Sequence, residues 1–179
     1  MDIIGHAFAG VVLGQAAAPK SADRQLHTFT ILTATGASLL PDLDAVSYIW
    51  GPDAFAAIHQ KYTHSVFALG ILVLAGAYVA WRIYPRAGFR YTLVLLTCAL
   101  GVHVAGDLIA HWPVEFFYPL SRKGWTFGLI RQDFSLVVDM ILAAGALLSF
   151  YDPLKPHRRV VALSTFGVLV AYLLFGPGW

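Results

Sequence analysis

Cysteine and charge are both scarce in this chain. Cys98 is the sole cysteine among 179 residues, so an intrachain disulfide and a zinc site of several thiolates are excluded. Asp, Glu, Lys and Arg make up 12% of the residues, whereas about 25% is typical of a globular protein. A soluble domain of this length needs more polar surface than that. The formal net charge is +2 and no Lys/Arg-rich run occurs, so nothing indicates a nucleic-acid partner.

Apolar residues take the place of the missing charge. They account for 58% of the chain, and the mean hydropathy is +0.67. This composition predicts an integral membrane protein surrounded by membrane lipids. The length allows a single all-α domain over residues 1–179, with five or six transmembrane helices of about 20 residues each. The oligomeric state is left open.

Six apolar segments are separated by loops rich in Pro, Gly and charged residues. They run over 3–18, 26–40, 63–84, 91–112, 134–151 and 159–175. The first is short for a span, which leaves it tilted, interfacial or re-entrant. The stretches 41–62 and 113–133 mix charged residues and prolines with aromatics. They are predicted to be interfacial loops, with Tyr48 and Trp50 as headgroup anchors.

Histidine and aspartate residues recur at the ends of these segments. Because consecutive spans run in opposite directions, these ends share one side of the membrane if the first five segments all cross it. They carry His6, Asp42, Asp44, His59, His64, His103, Asp107 and Asp139. Imidazole and carboxylate groups are metal ligands that membrane segments otherwise avoid. The pattern therefore predicts one metal site at one membrane face.

The distribution of Lys and Arg predicts which face this is. The loops after the first, third and fifth segments hold eight basic residues, and the opposite loops hold four. By the positive-inside rule, the site faces the extracytoplasmic side of the cell or inner membrane. If the first segment does not cross, the counts become six and four.

His103 and Asp107 form the most informative pair. They are four residues apart, so a helix places them on one face and within reach of one ion, and His111 continues the stripe. An Asp inside a span costs about 2.5–3.5 kcal/mol to insert. That cost favours a functional role over the alternative, a structural hydrogen-bonded pair.

Two further pairs precede it. Asp42 and Asp44 follow a proline, and a turn there would direct both carboxylates at one ion. The alternative is a solvated turn at the membrane surface. His59 and His64 can share a site if His59 lies in the loop and His64 in the first turn of a helix capped by Thr63. The alternative is a pair of interfacial histidines.

The remaining candidates are single residues. His6 is either a ligand or a histidine of the core. Asp139 is a ligand, a carboxylate that orients a histidine ligand, or the partner of an arginine. His27 and His157 fall on the opposite face and are predicted to be loop residues.

The three paired motifs together resemble a known family. Pro41-Asp42-Leu43-Asp44, His59-x-x-x-Thr63-His64-Ser65 and His103-x-x-x-Asp107 resemble the YdjM-like family of membrane-bound metal-dependent hydrolases, also described as LexA-binding, inner-membrane-associated hydrolases. The early His6 fits that family, and Trp112-Pro113 is similar to its aromatic-Pro element. Gln60-Lys61 stands where the family usually has Arg-Gly. The resemblance implies a metal site more directly than it implies a reaction.

These observations predict a membrane-bound metal-dependent hydrolase. Mixed imidazole and carboxylate ligands suit one or two zinc ions, or manganese or iron, better than calcium. The predicted ligands are His6, Asp42, Asp44, His59, His64, His103 and Asp107. Asp44 or Asp107 would act as general base toward metal-activated water. The predicted substrate is a lipid or lipid-linked phosphoester, whose anionic headgroup would meet Lys61, Arg122 or Lys123.

Two other functions are open. A metal or proton transporter would place its ligands near the bilayer midplane and show inverted repeats. A non-catalytic membrane regulatory protein would use the metal for structure, so metal removal would destabilise the fold without abolishing any turnover.

Overall fold

The computed structural model describes residues 1–110, 113–129 and 135–175, and over these ranges the fold is built from helices. The α-helices are α1 Ile3–Ala17, α2 Arg24–Leu39, α3 Pro52–Ile58, α4 Val66–Ile83, α5 Phe89–Ile109, α6 Ser135–Phe150 and α7 Arg158–Phe175. Shorter 3₁₀ helices cover Pro41–Trp50, Pro85–Ala87 and Asp152–His157. One isolated antiparallel bridge joins Val114 to Trp125. The all-α prediction is confirmed for the described part of the chain.

Each of the six predicted segments corresponds to one α-helix, but the stretch 41–62 is not the loop that we expected. It forms the 3₁₀ helix Pro41–Trp50 and then α3. A proline stands at the start of each, where its fixed φ suits a helix and its missing N–H leaves no bond unmade. The cap of α4 also differs from our prediction, because Ser65 accepts from the N–H of Ala68 and Thr63 has another role.

The helices differ in whether they are long enough to cross a membrane. Val66–Ile83, Phe89–Ile109 and Leu154–Phe175 are long and apolar enough to cross a bilayer. α1 and α6 are apolar but have only 15 and 16 residues, so each extends less than the roughly 30 Å of a hydrocarbon core. Three spans are therefore supported by length and composition, and the count of five or six stays a prediction.

α1 lies at the centre of the helical bundle. It packs against α2, α5, α6 and α7, whereas α4 packs mainly on α5. Gly10 and Gly14 let α1 approach α2 closely, since a Cβ atom on either would lie 2.6 Å from a Cα atom of α2. This is the small-residue spacing that brings membrane helices together. His6, one turn from the start of α1, is fully buried.

The segment 113–129 covers the end of the bundle at which α1 begins and α5 ends. The N–H of Glu115 donates to the carbonyl of Gln60 at 3.0 Å, and the hydroxyl of Thr126 donates to the carbonyl of Ala110 at 2.7 Å. The latter bond satisfies a carbonyl at the end of α5 that has no partner within the helix. These bonds hold the segment beside the residues that we predicted to bind metal.

Candidate metal centre

The seven predicted ligands meet at this end of the bundle, although they come from four parts of the chain. α1 supplies one, the 3₁₀ helix two, the segment between α3 and α4 two, and α5 two. These are respectively His6, Asp42 and Asp44, His59 and His64, and His103 and Asp107. Six of the seven are buried, and only His59 is partly exposed, with 18% of its side chain accessible.

The helix type explains how two aspartates only two positions apart both face inward. A 3₁₀ helix has three residues per turn, so every third residue lies on one line. Leu43, Val46 and Ile49 form such a line and are exposed by 55–77%. Asp42 and Asp44 occupy the other two directions, and both are buried. The stretch that we predicted to be a turn is therefore a 3₁₀ helix, and it still directs both carboxylates toward the interior.

The inner part of the cluster brings two imidazoles and two carboxylates together. The Nε2 atoms of His64 and His103 lie 2.9 Å apart. Asp107 Oδ2 lies 3.2 Å from the first and 3.3 Å from the second. Asp42 Oδ1 lies 3.6 Å from both. His6 adds a third ring, which stacks on His103 and contacts Asp107 Oδ1 at 3.0 Å.

Hydrogen bonds to the outer ring nitrogens determine which atoms face the centre. His103 Nδ1 lies 2.7 Å from the carbonyl oxygen of Ser38, which can only accept, so Nδ1 carries the hydrogen. The hydroxyl of Thr63 donates to Asp44 Oδ2 at 2.6 Å and is left to accept from His64 Nδ1 at 3.0 Å. The neutral rings therefore direct two Nε2 lone pairs at each other. A proton or a metal cation between them is needed to offset that repulsion.

An outer group shares one residue with the inner one. Asp44 Oδ1 accepts from His59 Nδ1 at 2.7 Å. Ligand atoms of Asp42, Asp44 and His59 all lie within 4.8 Å of one another, as do those of His6, Asp42, His103 and Asp107. Asp42 belongs to both groups, so it would be a ligand for an ion held by either of them.

Burial makes this cluster costly without a cation. Asp107 Oδ2 and His6 Nδ1 are buried and have no hydrogen-bond partner among the described residues. Burial alone would raise the pKa of Asp42, but hydrogen bonding with His64 and the charges of His103 and His6 together outweigh it and hold the pKa below its usual value. Burial would lower the pKa of His64, but Asp107 and Asp42 raise it to about 9. A charged carboxylate at this depth needs a positive partner.

The donor set fits a divalent transition metal. Three imidazoles and two carboxylates of the inner group, with two further ligands in the outer group, exceed the four that one zinc ion takes. A bound cation would satisfy the unpartnered Asp107 Oδ2 and remove the repulsion between the two facing Nε2 atoms. The carbonyl of Ser38 and the hydroxyl of Thr63 are the supporting contacts that orient such ligands.

The other sequence candidates lie elsewhere or have different surroundings. Asp139 is buried against Gly5 of α1, and its carboxylate joins neither group within the described ranges. His27 and His157 do lie away from the cluster, but both are in helices, the first in α2 and the second in a 3₁₀ helix. Their prediction as loop residues was wrong. His111 and Trp112 fall outside the described residues.

Sequence reasoning missed two members of the site. Ser38 acts through its backbone carbonyl, which no side-chain pattern can indicate. Thr63 was predicted to cap a helix and was part of the motif that carries the family resemblance; its place next to His64 was the available signal for a hydrogen-bonding role.

Comparison with known proteins gives one family and two relatives. The YdjM inner membrane protein family matches residues 1–177. YfhP of Bacillus subtilis (strain 168) is 27% identical over 178 residues, which cover 97% of this chain and 53% of YfhP, so the chain spans about half the length of that relative. The lipoprotein signal peptidase of Chlamydia pneumoniae is 24% identical over 120 residues, covering 64% of this chain and 68% of that protein. No solved structure matches at a significant level.

Proposed function

The chain belongs to the YdjM inner membrane protein family, and from that premise we propose that it is a membrane-bound metal-dependent hydrolase that acts on a lipid or lipid-linked phosphoester. The observation that carries the proposal is the 2.9 Å approach of His64 Nε2 to His103 Nε2 beside the unpartnered Asp107 Oδ2. Such an arrangement is stabilised either by a proton or by a metal cation between the groups, and we propose the metal.

The residues divide into two groups by role. We assign the inner histidines, Asp42 and Asp107 to one ion, and the outer pair of Asp44 and His59 to proton transfer beside it. A bound divalent ion would lower the pKa of a water molecule to about 7 and polarise a phosphoryl or carbonyl oxygen. Zinc suits this ligand set, and manganese or iron are alternatives.

Asp44 is the better candidate for the general base than Asp107. It is hydrogen-bonded to His59, the one partly exposed member of the cluster, so a proton can pass between this pair and water. Asp107 lies deeper, is only 1% exposed and contacts three histidines. That position suits a ligand.

The surface beside the outer group supports a lipid substrate. The exposed ridge of Leu43, Val46 and Ile49 lies on the same 3₁₀ helix as Asp42 and Asp44. An apolar ridge of this kind is stable at a membrane interface rather than in water. The relative named lipoprotein signal peptidase also supports hydrolysis close to a membrane as the general class.

Basic residues near this surface are candidates for headgroup contacts. Lys61 lies next to the cluster in sequence and pairs with Glu115 at 3.8 Å. Lys123 lies over the ring of Trp125 at 4.3 Å. With Arg122 they supply positive charge for an anionic headgroup, and we propose that the site faces the extracytoplasmic side.

Metal content and turnover test the proposal together. The protein, purified in detergent, is loaded with zinc and with manganese and assayed on phosphatidylglycerol, phosphatidic acid and a soluble phosphodiester. Asp44→Asn should keep at least one ion and lose turnover by about a hundredfold or more, in keeping with loss of a general base. Asp53→Asn, an exposed residue of α3, is the control. Full metal binding without turnover on any substrate would overturn the hydrolase and leave the metal site standing.

A structural role for the metal is the second candidate. It is favoured by the origin of the ligands, since one ion would join α1, α5 and the 3₁₀ helix. In that case metal removal lowers the melting temperature of a protein that turns over nothing. A transporter is less favoured, because the ligands lie at helix ends rather than near the middle of the bundle.

A further inference from the structure

A cavity of about 520 Å³ lies at the end of the bundle opposite the candidate metal centre. It opens between the last turns of α1 and α6 and the first turns of α2 and α7. Along α1, nine residues separate His6 from the cavity-lining Gln15, which corresponds to about 13 Å. The polar residues that line it include Gln15, Asp23, Arg24, His27, Lys155 and Arg158.

Positive charge dominates the lining. Arg24, Lys155 and Arg158 contribute three cations, against the single carboxylate of Asp23. Asp23 is committed to capping α2, where its Oδ1 accepts from the N–H of Leu26 at 2.8 Å. Lys155 forms an ion pair with Asp152. Within the part of the chain that the structure describes, Arg24 and Arg158 have no carboxylate partner.

A buried amide lines the same cavity with an unused donor. Gln15 is 1% exposed, and its Oε1 accepts from His27 Nε2 at 2.9 Å. Its Nε2 has no partner among the described residues. A buried amide donor without a hydrogen bond destabilises the fold. This unused donor belongs to a residue that lines the cavity together with the two arginines.

We propose that this cavity is a binding site for a phosphate group. Guanidinium groups match the geometry of phosphate oxygens, and two of them from different helices can hold one phosphate between them. Basic pockets between membrane helices commonly receive anionic headgroups. The phosphate can come from an anionic lipid or from a soluble ion, and the site is independent of the hydrolase proposed above.

Thermal unfolding of the purified protein in detergent tests this site. The additives are a short-chain phosphatidylglycerol and, separately, inorganic phosphate. A ligand that binds only the folded state raises the melting temperature, by about 3 °C or more when it is present at a hundred times its dissociation constant. A rise with the lipid alone assigns the site to a headgroup, and a rise with both assigns it to phosphate in general.

Variants separate the cavity from general charge effects. Arg24→Gln with Arg158→Gln should remove the rise, and Gln15→Met, which keeps the side-chain volume, should reduce it. Arg86→Gln with Arg90→Gln changes two exposed arginines outside the cavity lining and should leave the rise intact. No rise in the wild type, or an equal rise in the Arg24/Arg158 variant, overturns the proposal.

Discussion

His64 and His103 direct their Nε2 atoms at one another across 2.9 Å, although 39 positions separate them in the chain. Each ring is held from behind, His103 by the carbonyl of Ser38 and His64 by the hydroxyl of Thr63. Neither ring can turn away without breaking one of these hydrogen bonds. The two nitrogens therefore form a fixed gap in which a positive charge is stabilised.

Replacement of His103 by alanine should remove bound metal. The variant loses one of the two facing nitrogens, and we expect its affinity for zinc to fall by about a hundredfold or more, above the range for supporting residues. The measurement is metal per chain by mass spectrometry after equilibration with a weak chelator. His157→Ala, an exposed histidine at the other end of the bundle, should keep the wild-type content. Unchanged content in His103→Ala would refute the assignment.

Thr63→Val should weaken metal binding without removing a ligand. The hydroxyl links Asp44 to His64, and its loss frees the ring to rotate. We expect about a 10–100-fold lower zinc affinity, measured by competition with a chromogenic chelator. Thr97→Val removes an exposed hydroxyl that bonds only within α5 and serves as the matched control. Equal affinities in the two variants would show that the Thr63 link is unimportant.

Metal binding should become tighter as the pH rises. In the metal-free protein burial lowers the pKa of His64, but the carboxylates of Asp107 and Asp42, which lie 3.2 and 3.6 Å from its Nε2, together raise it to about 9. Below that pH the ion must displace a proton from His64. This residue alone should therefore increase the apparent dissociation constant about tenfold for each unit by which the pH falls. Calorimetry in two buffers of different ionisation enthalpy measures the proton release. A constant affinity between pH 6 and 8 would contradict this.

The metal-free protein should show the reverse dependence in its stability. The pKa of His64 is higher in the folded state, about 9, than the ordinary value of 6.5. Its contribution is therefore complete below about pH 6.5 and lost as the pH rises toward 9. Thermal unfolding of the chelator-treated protein across this range provides the measurement. A His64→Gln variant should show a flatter profile, and an equal slope in the two proteins would count against His64 as the titrating group.

Gly14→Ala should destabilise the protein by about 1–3 kcal/mol, the cost of overpacking a close contact. A Cβ atom there would lie 2.6 Å from the Cα of Ile31, so α1 and α2 must separate. Gly36→Ala is the control, because nothing lies within 4 Å of its Cβ position. That change should stabilise the protein by about 0.4–1 kcal/mol, because alanine lowers the conformational entropy of the unfolded chain. Denaturant melts of both variants give the comparison, and the same sign for both would refute the packing argument.

Much of the fold follows from hydropathy and from the residues that end each apolar segment. The six apolar segments coincide with α1, α2, α4, α5, α6 and α7 to within a few residues, because proline and polar residues end each of them. The helices in 41–62 escaped prediction, since a 3₁₀ helix has a period of three and its exposed residues are apolar. From hydropathy alone, such a stretch is predicted to be an irregular interfacial loop.

The candidate site was predictable in its membership and not in its geometry. Segment alternation indicated that His6, Asp42 and His103 share one side of the protein, and the structure brings them together. The family resemblance on the same motifs is confirmed by the match over residues 1–177. The tautomers depend on a backbone carbonyl and a threonine hydroxyl, and these contacts exist only once α2 and α5 have packed.

The central position of α1 has a consequence for how the protein is made. α1 leaves the ribosome before α2, α5, α6 and α7, the helices that surround it. His6 and Gln15 are thus without their final neighbours until those helices have been synthesised, whereas α4 and α5 can pair as soon as they emerge. Assembly cannot proceed strictly in chain order. It requires a later step in which α6 and α7 enclose α1.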